Sequence, residues 1–297
     1  MKKAANCPKG KKRGEGDPAR SERSPLETRF TRAMRRVLEG IEEAEHKLSR
    51  KTVHALRVSI RRSRSVAAGM RQVDPEGDWM ELSREGRKLF RRLGALRDLQ
   101  VMLGWLRALS EHGNPVRAAL LKKIRALERA QLKRARRALE RFDSKRWRHW
   151  AETLSAHLHD LGEGRNELER IARERFAEVT RLHRKALRRE SIETWHDLRI
   201  AVKRFRYTIE NFFPDRYADW GASLGHIQDL LGEVHDLDVL ADFLPKAGSP
   251  WTPSERRRWL KRIEAERQKR LEEYRSLTGG RGGFWKAVAA GLAKPSP

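Results

Sequence analysis

From Leu26 onward, apolar residues recur three and four positions apart, with charged residues filling the intervals. That period predicts helix after helix. Runs of alternating β-branched residues do not occur, while Leu, Ala, Arg, Glu and Lys dominate at helical spacing. Helices are expected at about 26–48, 52–73, 79–111, 115–141 and 145–160, and again at about 166–189, 192–213, 217–245, 253–276 and 283–293. Breakers support the division. Asp74-Pro75 and Phe213-Pro214 each stop a helix. Gly113-Asn114-Pro115 and Gly248-Ser249-Pro250 are matching breaks, and Gly162-Glu163-Gly164 marks the middle of the chain. Residues 1–25 hold almost no large apolar side chains and are expected to be a disordered basic leader.

The pattern also repeats. Residues 53–65 (VHALRVSIRRSRS) parallel residues 195–207 (WHDLRIAVKRFRY), with His54 matching His196, Arg57 matching Arg199, Arg61 matching Lys203 and Arg64 matching Arg206. A second segment, 93–101 (LGALRDLQV), parallels 231–239 (LGEVHDLDV). The two segments recur in the same order and at nearly the same offset, which indicates an internal duplication. A period of roughly 140 residues is too long for a solenoid repeat and suits a bundle of about four helices per half.

On a helical wheel, His54, Arg57, Arg61 and Arg64 form one stripe about 80° wide, beside an apolar arc of Val53, Leu56, Ile60 and Ala67. His196, Arg199, Lys203 and Arg206 do the same beside Leu198, Val202, Phe205 and Ile209. The cations therefore sit at the shoulder of the buried face. A solvated helix would place them opposite the core and pair them with acids at i+4. These stripes hold no acid, which predicts a lined groove whose charge a ligand cancels. Arg62 and Arg204 fall on the far side of the wheel, where a binding role and a plain solvated role are equally balanced. A third stripe, Lys122, Arg125, Arg129, Lys133 and Arg136, reads more readily as a solvated face, with Arg129 and Lys133 as secondary candidates for binding. Arg97 is a further candidate, although its counterpart is His235.

Neutral His can donate one hydrogen bond to a phosphate oxygen, and protonated His two. The paired His54 and His196 are therefore read as phosphate contacts. Asp98 and Asp236 are the repeated acids. They are expected to form a buried salt bridge that orients a stripe arginine, rather than to bind metal, because Asp238 is replaced by Gln100 in the first copy.

Charge narrows the partner. Lys and Arg number 67 against 41 Asp and Glu, a formal net charge of +26 over 297 residues. Such an excess repels itself in a compact fold and points to a polyanion. The single cysteine, Cys7, precludes an intramolecular disulfide, which suits a reducing cytoplasm. No apolar run follows the basic start, so no secretory signal is read there, and no run approaches the ~20 residues of a membrane span.

The two repeated motifs, His-x-x-Arg-(Val/Ile)-x-(Ile/Val)-(Arg/Lys)-Arg-x-Arg and Leu-Gly-x-x-x-Asp-Leu-x-Val, resemble those of the conserved histidine α-helical domain, or CHAD, family over roughly residues 26–293. The resemblance implies an all-α fold of two four-helix bundles, residues 26–163 and 164–297, related by a pseudo-two-fold axis around a central basic pore or cleft. It implies that the cleft binds inorganic polyphosphate. Carried over, the lining is His54, Arg57, Arg61, Arg64, His196, Arg199, Lys203 and Arg206. The alternating-glutamate strand motif of the triphosphate-tunnel domain that often adjoins the family is missing, so the chain resembles a stand-alone member. Targeting to polyphosphate granules is a family-level expectation.

Other classes remain in view. A nucleic-acid binder fits the net charge equally well, but the stripes lack aromatics interleaved for base stacking, so weak, salt-sensitive binding is expected. An enzyme of phosphoryl transfer normally needs carboxylate-held metal and often a Gly-rich phosphate loop, and no such loop motif occurs. His157-Leu158-His159-Asp160 is a metal set on paper only, so no metal, cofactor or catalytic residue is assigned. A pure scaffold would leave both stripes as solvated faces. An empty basic pore is expected to strain against its own repulsion, so the polymer should raise the melting temperature. Oligomeric state is left open.

Overall fold

The computed structural model describes residues 24–110, 113–159, 164–246, 248, 252–280 and 282–293. Among these there are ten helices and no strand. They are α1 (Pro25–His46), α2 (Arg50–Val73), α3 (Trp79–Ala108), α4 (Pro115–Glu140), α5 (Ser144–Ala156), α6 (Gly164–Arg189), α7 (Ile192–Phe212), α8 (Pro214–Lys246), α9 (Pro253–Thr278) and α10 (Phe284–Ala293). Every expected helix is present. Boundaries shift by up to four residues: α5 ends at Ala156 rather than near 160, α3 at Ala108 rather than near 111, and α8 starts at Pro214 rather than near 217, since proline suits the first helical turn, where its missing N–H costs nothing. Residues 1–23 of the expected leader lie outside the described residues. Its last two, Ser24 and Pro25, cap and open α1, with Ser24 Oγ accepting from the Glu27 N–H.

Three apolar cores form. The first joins α1, α2, α5, the N-terminal half of α3 and the C-terminal end of α4, around Phe30, Met34, Leu56, Trp79 and Trp147. The second joins α6, α7, α10, the N-terminal half of α8 and the C-terminal end of α9, around Trp195, Phe205 and Tyr274. The third is shared: Leu103, Leu106, Leu120 and Ile124 from α3 and α4 meet Leu237, Leu240, Trp259 and Ile263 from α8 and α9. α3 and α8 can serve two cores each because, at 30 and 33 residues, they run about 45–50 Å.

The two motif helices, α2 and α7, pack on each other where the flanking cores meet. Asn211 Nδ2 donates to Ser65 Oγ at 2.8 Å, and Arg29 of α1 donates to the carbonyls of Glu210 and Asn211 near the end of α7. Gly69 is required at this crossing. A Cβ there would lie 2.4 Å from the Phe212 ring.

Candidate functional site

The repeat extends to the caps that set the motif helices. Ser49 accepts from the Thr52 N–H and Ser191 from the Thr194 N–H, with Thr52 Oγ1 completing a reciprocal capping box. These caps start α2 and α7 at equivalent registers, so each histidine falls in the second turn and each following cation on the same face. Leu56, Ile60, Leu198, Val202 and Phe205 are buried, which pins the cationic shoulder toward the neighbouring helices.

A cleft of about 520 Å³ lies between the two motif helices and the two long ones. Arg57 and Arg61 of α2 line it together with Arg199 and Lys203 of α7. Burial and then the charges of Arg199, Arg61, Arg57 and Arg64 push Lys203 down to about 8. Burial, then Arg61, Arg97 and Arg199, lowers Arg57 to about 10, against the opposing pull of Asp98. The cations of the two halves therefore feel one another across one space.

The cleft is not uniformly basic. The facing helices contribute Asp98 from α3 and Asp229, Glu233 and Asp236 from α8. The picture of an empty pore strained by repulsion alone needs this correction, since the carboxylates offset much of the charge. Burial and then Asp98 and Glu233 push Asp236 up to about 6, although Arg199 and Arg97 oppose the rise. Asp98 is raised too, chiefly by burial. Among the described residues neither aspartate makes the direct salt bridge expected of it; Asp98 couples through space to Arg57 and Arg199, and Asp236 to Arg199 and Arg97. The buried ion pair falls instead on Asp238, whose Oδ1 accepts from Arg267 Nε of α9 at 2.7 Å, with side chains only 9 % and 8 % exposed. Gln100 takes the equivalent place in the first half, buried and with its carbonyl oxygen unpartnered.

The remaining sequence candidates divide. Arg64 and Arg206 border the cleft rather than line it, and both are already engaged: Arg64 Nε donates to the Ser83 carbonyl, and Arg206 donates to Gln228 and to the Tyr217 hydroxyl. His196 meets His235 of α8, their Nδ1 atoms 3.3 Å apart. Burial, Arg199, His196 and Lys203 push His235 down to about 4, so it is neutral at physiological pH. His54 is exposed, and partial burial of its ring together with Arg97, Arg61, Arg57 and Arg50 lowers its pKa. Arg97 also lies in this charge network, near Asp236 and Asp98. Arg62 and Arg204 turn away, toward Glu210 and Glu178. Arg129 and Lys133 are exposed on α4 and do not line the cleft. His157 pairs with Asp74 at 2.8 Å and His159 lies 3.6 Å from Glu27, while Asp160 is outside the described residues.

Two aromatic partners escape the sequence reading. Arg57 lies over the Phe90 ring at 4.0 Å, and Arg61 lies over Tyr207 at 5.2 Å. Tyr207 follows Arg206 directly in the motif, so its neighbourhood is the signal that could find it. Phe90 belongs to a different helix from Arg57, and no local pattern joins the two. Gly94 leaves the room Arg57 needs: a Cβ there would meet Nη1 at 3.0 Å.

A family model described as the CHAD domain matches residues 28–245, which includes both motif helices and nearly all of α8. The chain belongs to the CHAD family. Its fold is also that of a solved relative: the crystal structure of the CHAD domain from the plant Ricinus communis superposes with a TM-score of 0.59 and 20% identity, over 91% of each chain. No curated protein matches the sequence. In this CHAD protein no described helix is long and apolar enough to cross a membrane.

Proposed function

We propose that this CHAD protein binds inorganic polyphosphate in the cleft between α2, α3, α7 and α8, without catalysis. The observation that carries the reading is the convergence of Arg57 and Arg61 from one copy with Arg199 and Lys203 from the other around one space. Cations held that close, with Lys203 pushed down to about 8, are poised to gain from an incoming anion. Arginine forks match phosphate oxygens two at a time, and a polymer without bases needs only charge and hydrogen bonds.

On this reading residues 26–163 and 164–297 are two halves, of five described helices each rather than the four expected, related by a pseudo-two-fold axis through the cleft. Arg64, Arg206, His54, His196 and Arg97 extend the contact beyond the lining itself. The carboxylates of α3 and α8 offset the cations when no ligand is present, and Asp98 and Asp236, both already raised by burial, give up that role by taking protons when the polymer enters. Residence in the cytoplasm and targeting to polyphosphate granules follow from the same reading.

The net charge of +26 also serves a nucleic acid, so the test sets the two against each other. Polyphosphate should displace duplex DNA and RNA at ~150 mM salt and not be displaced by them. Displacement in the opposite sense would favour nucleic acid. Incubation of polyphosphate with the protein and Mg²⁺ or Mn²⁺ releases no phosphate on this reading.

A further inference from the structure

The cleft does not account for all of the concentrated charge. A second concavity of about 400 Å³ lies between α3 and α4 and shares no lining residue with the first. Lys88, Arg91 and Arg92 of α3 face Arg134, Arg137 and Arg141 at the end of α4, over an apolar floor that includes Leu89 and Phe142. Glu85 is the one acid in this lining, and Lys88 occupies it at 2.7 Å. The five arginine side chains have neither an ion-pair nor a hydrogen-bond partner among the described residues.

The internal duplication supplies a comparison within the same chain. The offset that carries Leu93 onto Leu231 places His226, Asp229, Leu230, Glu272, Arg275 and Gly279 at the six equivalent positions. There His226 pairs with Glu273 at 2.8 Å and Arg275 with Glu190 at 2.7 Å. The same scaffold is thus stable with a neutralised face, and the fold does not call for six cations at this place. Like charges so close repel by a few tenths of a kcal/mol per pair, a cost that nothing in the free protein offsets. Arg87, which acts on Arg64 through space, carries the positive field along α3 from the motif row to the edge of the groove.

We propose that the α3–α4 groove is a second phosphate-binding site, which holds a later stretch of the same polyphosphate chain that occupies the cleft. The proposal rests on the polyphosphate reading of the cleft. A chain long enough to reach both sites binds the second intramolecularly and gains avidity, whereas a short chain occupies the cleft alone.

The experiment titrates tripolyphosphate, a polyphosphate of several hundred units and an RNA into three proteins: wild type, the groove variant Arg134→Gln/Arg137→Gln/Arg141→Gln, and the cleft variant Arg57→Gln/Arg199→Gln. All three substituted arginines are exposed, and melting curves confirm folding. The groove variant should bind tripolyphosphate as wild type does, lose about tenfold or more for the long polymer, and show a salt slope lower by about two. Unchanged long-chain affinity would overturn the proposal, as would an equal loss for both lengths, which is the signature of a diffuse field. Loss of RNA binding with polyphosphate untouched would overturn it in favour of a nucleic acid. The cleft variant reads the other claim separately. If it keeps tripolyphosphate, the cleft reading fails, while the groove is still judged by its own long-chain arm.

Discussion

Arg57 spreads over the Phe90 ring, 4.0 Å from its centroid, while its Nη1 donates a 2.7 Å hydrogen bond to the Phe90 backbone carbonyl. One residue of α3 thus holds a motif arginine of α2 through both its side chain and its main chain. A guanidinium fixed in this way has already lost rotamer freedom, so less entropy remains to be lost when a phosphate arrives. Substituting Phe90→Ala keeps the carbonyl and removes the ring. Polyphosphate affinity should fall about three- to tenfold, the equivalent of a cation–π contact of about 0.5–1 kcal/mol plus restored side-chain motion. Arg57→Lys should not restore wild-type binding, because an ammonium cannot both stack and fork. Isothermal titration on the two variants checks this.

Proton linkage reads the cleft independently. Asp236 stands at about 6 against an ordinary 3.8. Its folded state holds the proton more tightly than the unfolded chain, so its stability contribution is full below about 3.8 and is lost as pH rises through about 6. A polyanion in the same cleft favours the neutral acid further. Affinity should therefore rise as pH falls from 7.5 to 5.5, on the order of tenfold for one like charge removed at an effective dielectric near 20. Asp236→Asn should bind more tightly at pH 7.5 and show a flatter profile. A steeper profile in that variant would contradict the assignment.

Lys203 titrates in the opposite range. With its ammonium pushed down to about 8, it is partly neutral at pH 8, and an entering phosphate restores the charge. Calorimetry at pH 8 in buffers of different ionisation enthalpy should show proton uptake on binding. Lys203→Arg should abolish most of that uptake and hold its affinity above pH 9, where wild type weakens.

Asp238 and Arg267 bear on the scaffold rather than on the ligand. Removing one partner, as in Asp238→Ala, leaves the buried guanidinium with only the exposed Glu264, 3.6 Å away, and should cost about 3 kcal/mol in chemical denaturation. The double substitution Asp238→Leu/Arg267→Met should recover most of the loss, since a buried pair replaced by apolar groups of similar size is close to neutral. A double variant as unstable as the single one would show that the pair does more than neutralise itself.

The sequence reveals most where short-range periodicity decides the structure. The ten helices, the doubled motif and the convergence of Arg57, Arg61, Arg199 and Lys203 follow from i, i+3 and i+7 spacing together with the repeat of one half of the chain in the other. The shared core of Leu103, Leu120, Leu240 and Trp259 is not legible, because it depends on how two long helices from opposite halves lie against each other. The acids of the cleft are hidden for a related reason. α8 packs into two separate cores, so its apolar positions spread around the helix and no clean polar face marks Asp229 or Glu233. The caps Ser49-x-x-Thr52 and Ser191-x-x-Thr194 stand plainly in the sequence, but they gain meaning only as a third element of the repeat.

If cations from both copies hold one phosphate chain, removing one from each must weaken binding and flatten its salt dependence together. The deciding titration compares polyphosphate binding across a salt series in wild type and in Arg57→Ala/Arg199→Ala. Wild type should bind tightly at ~50 mM salt and weaken steeply, and the double variant should lose on the order of a hundredfold with a slope shallower by about one to two. An affinity and slope unchanged by removing both arginines would mean that the polymer binds elsewhere.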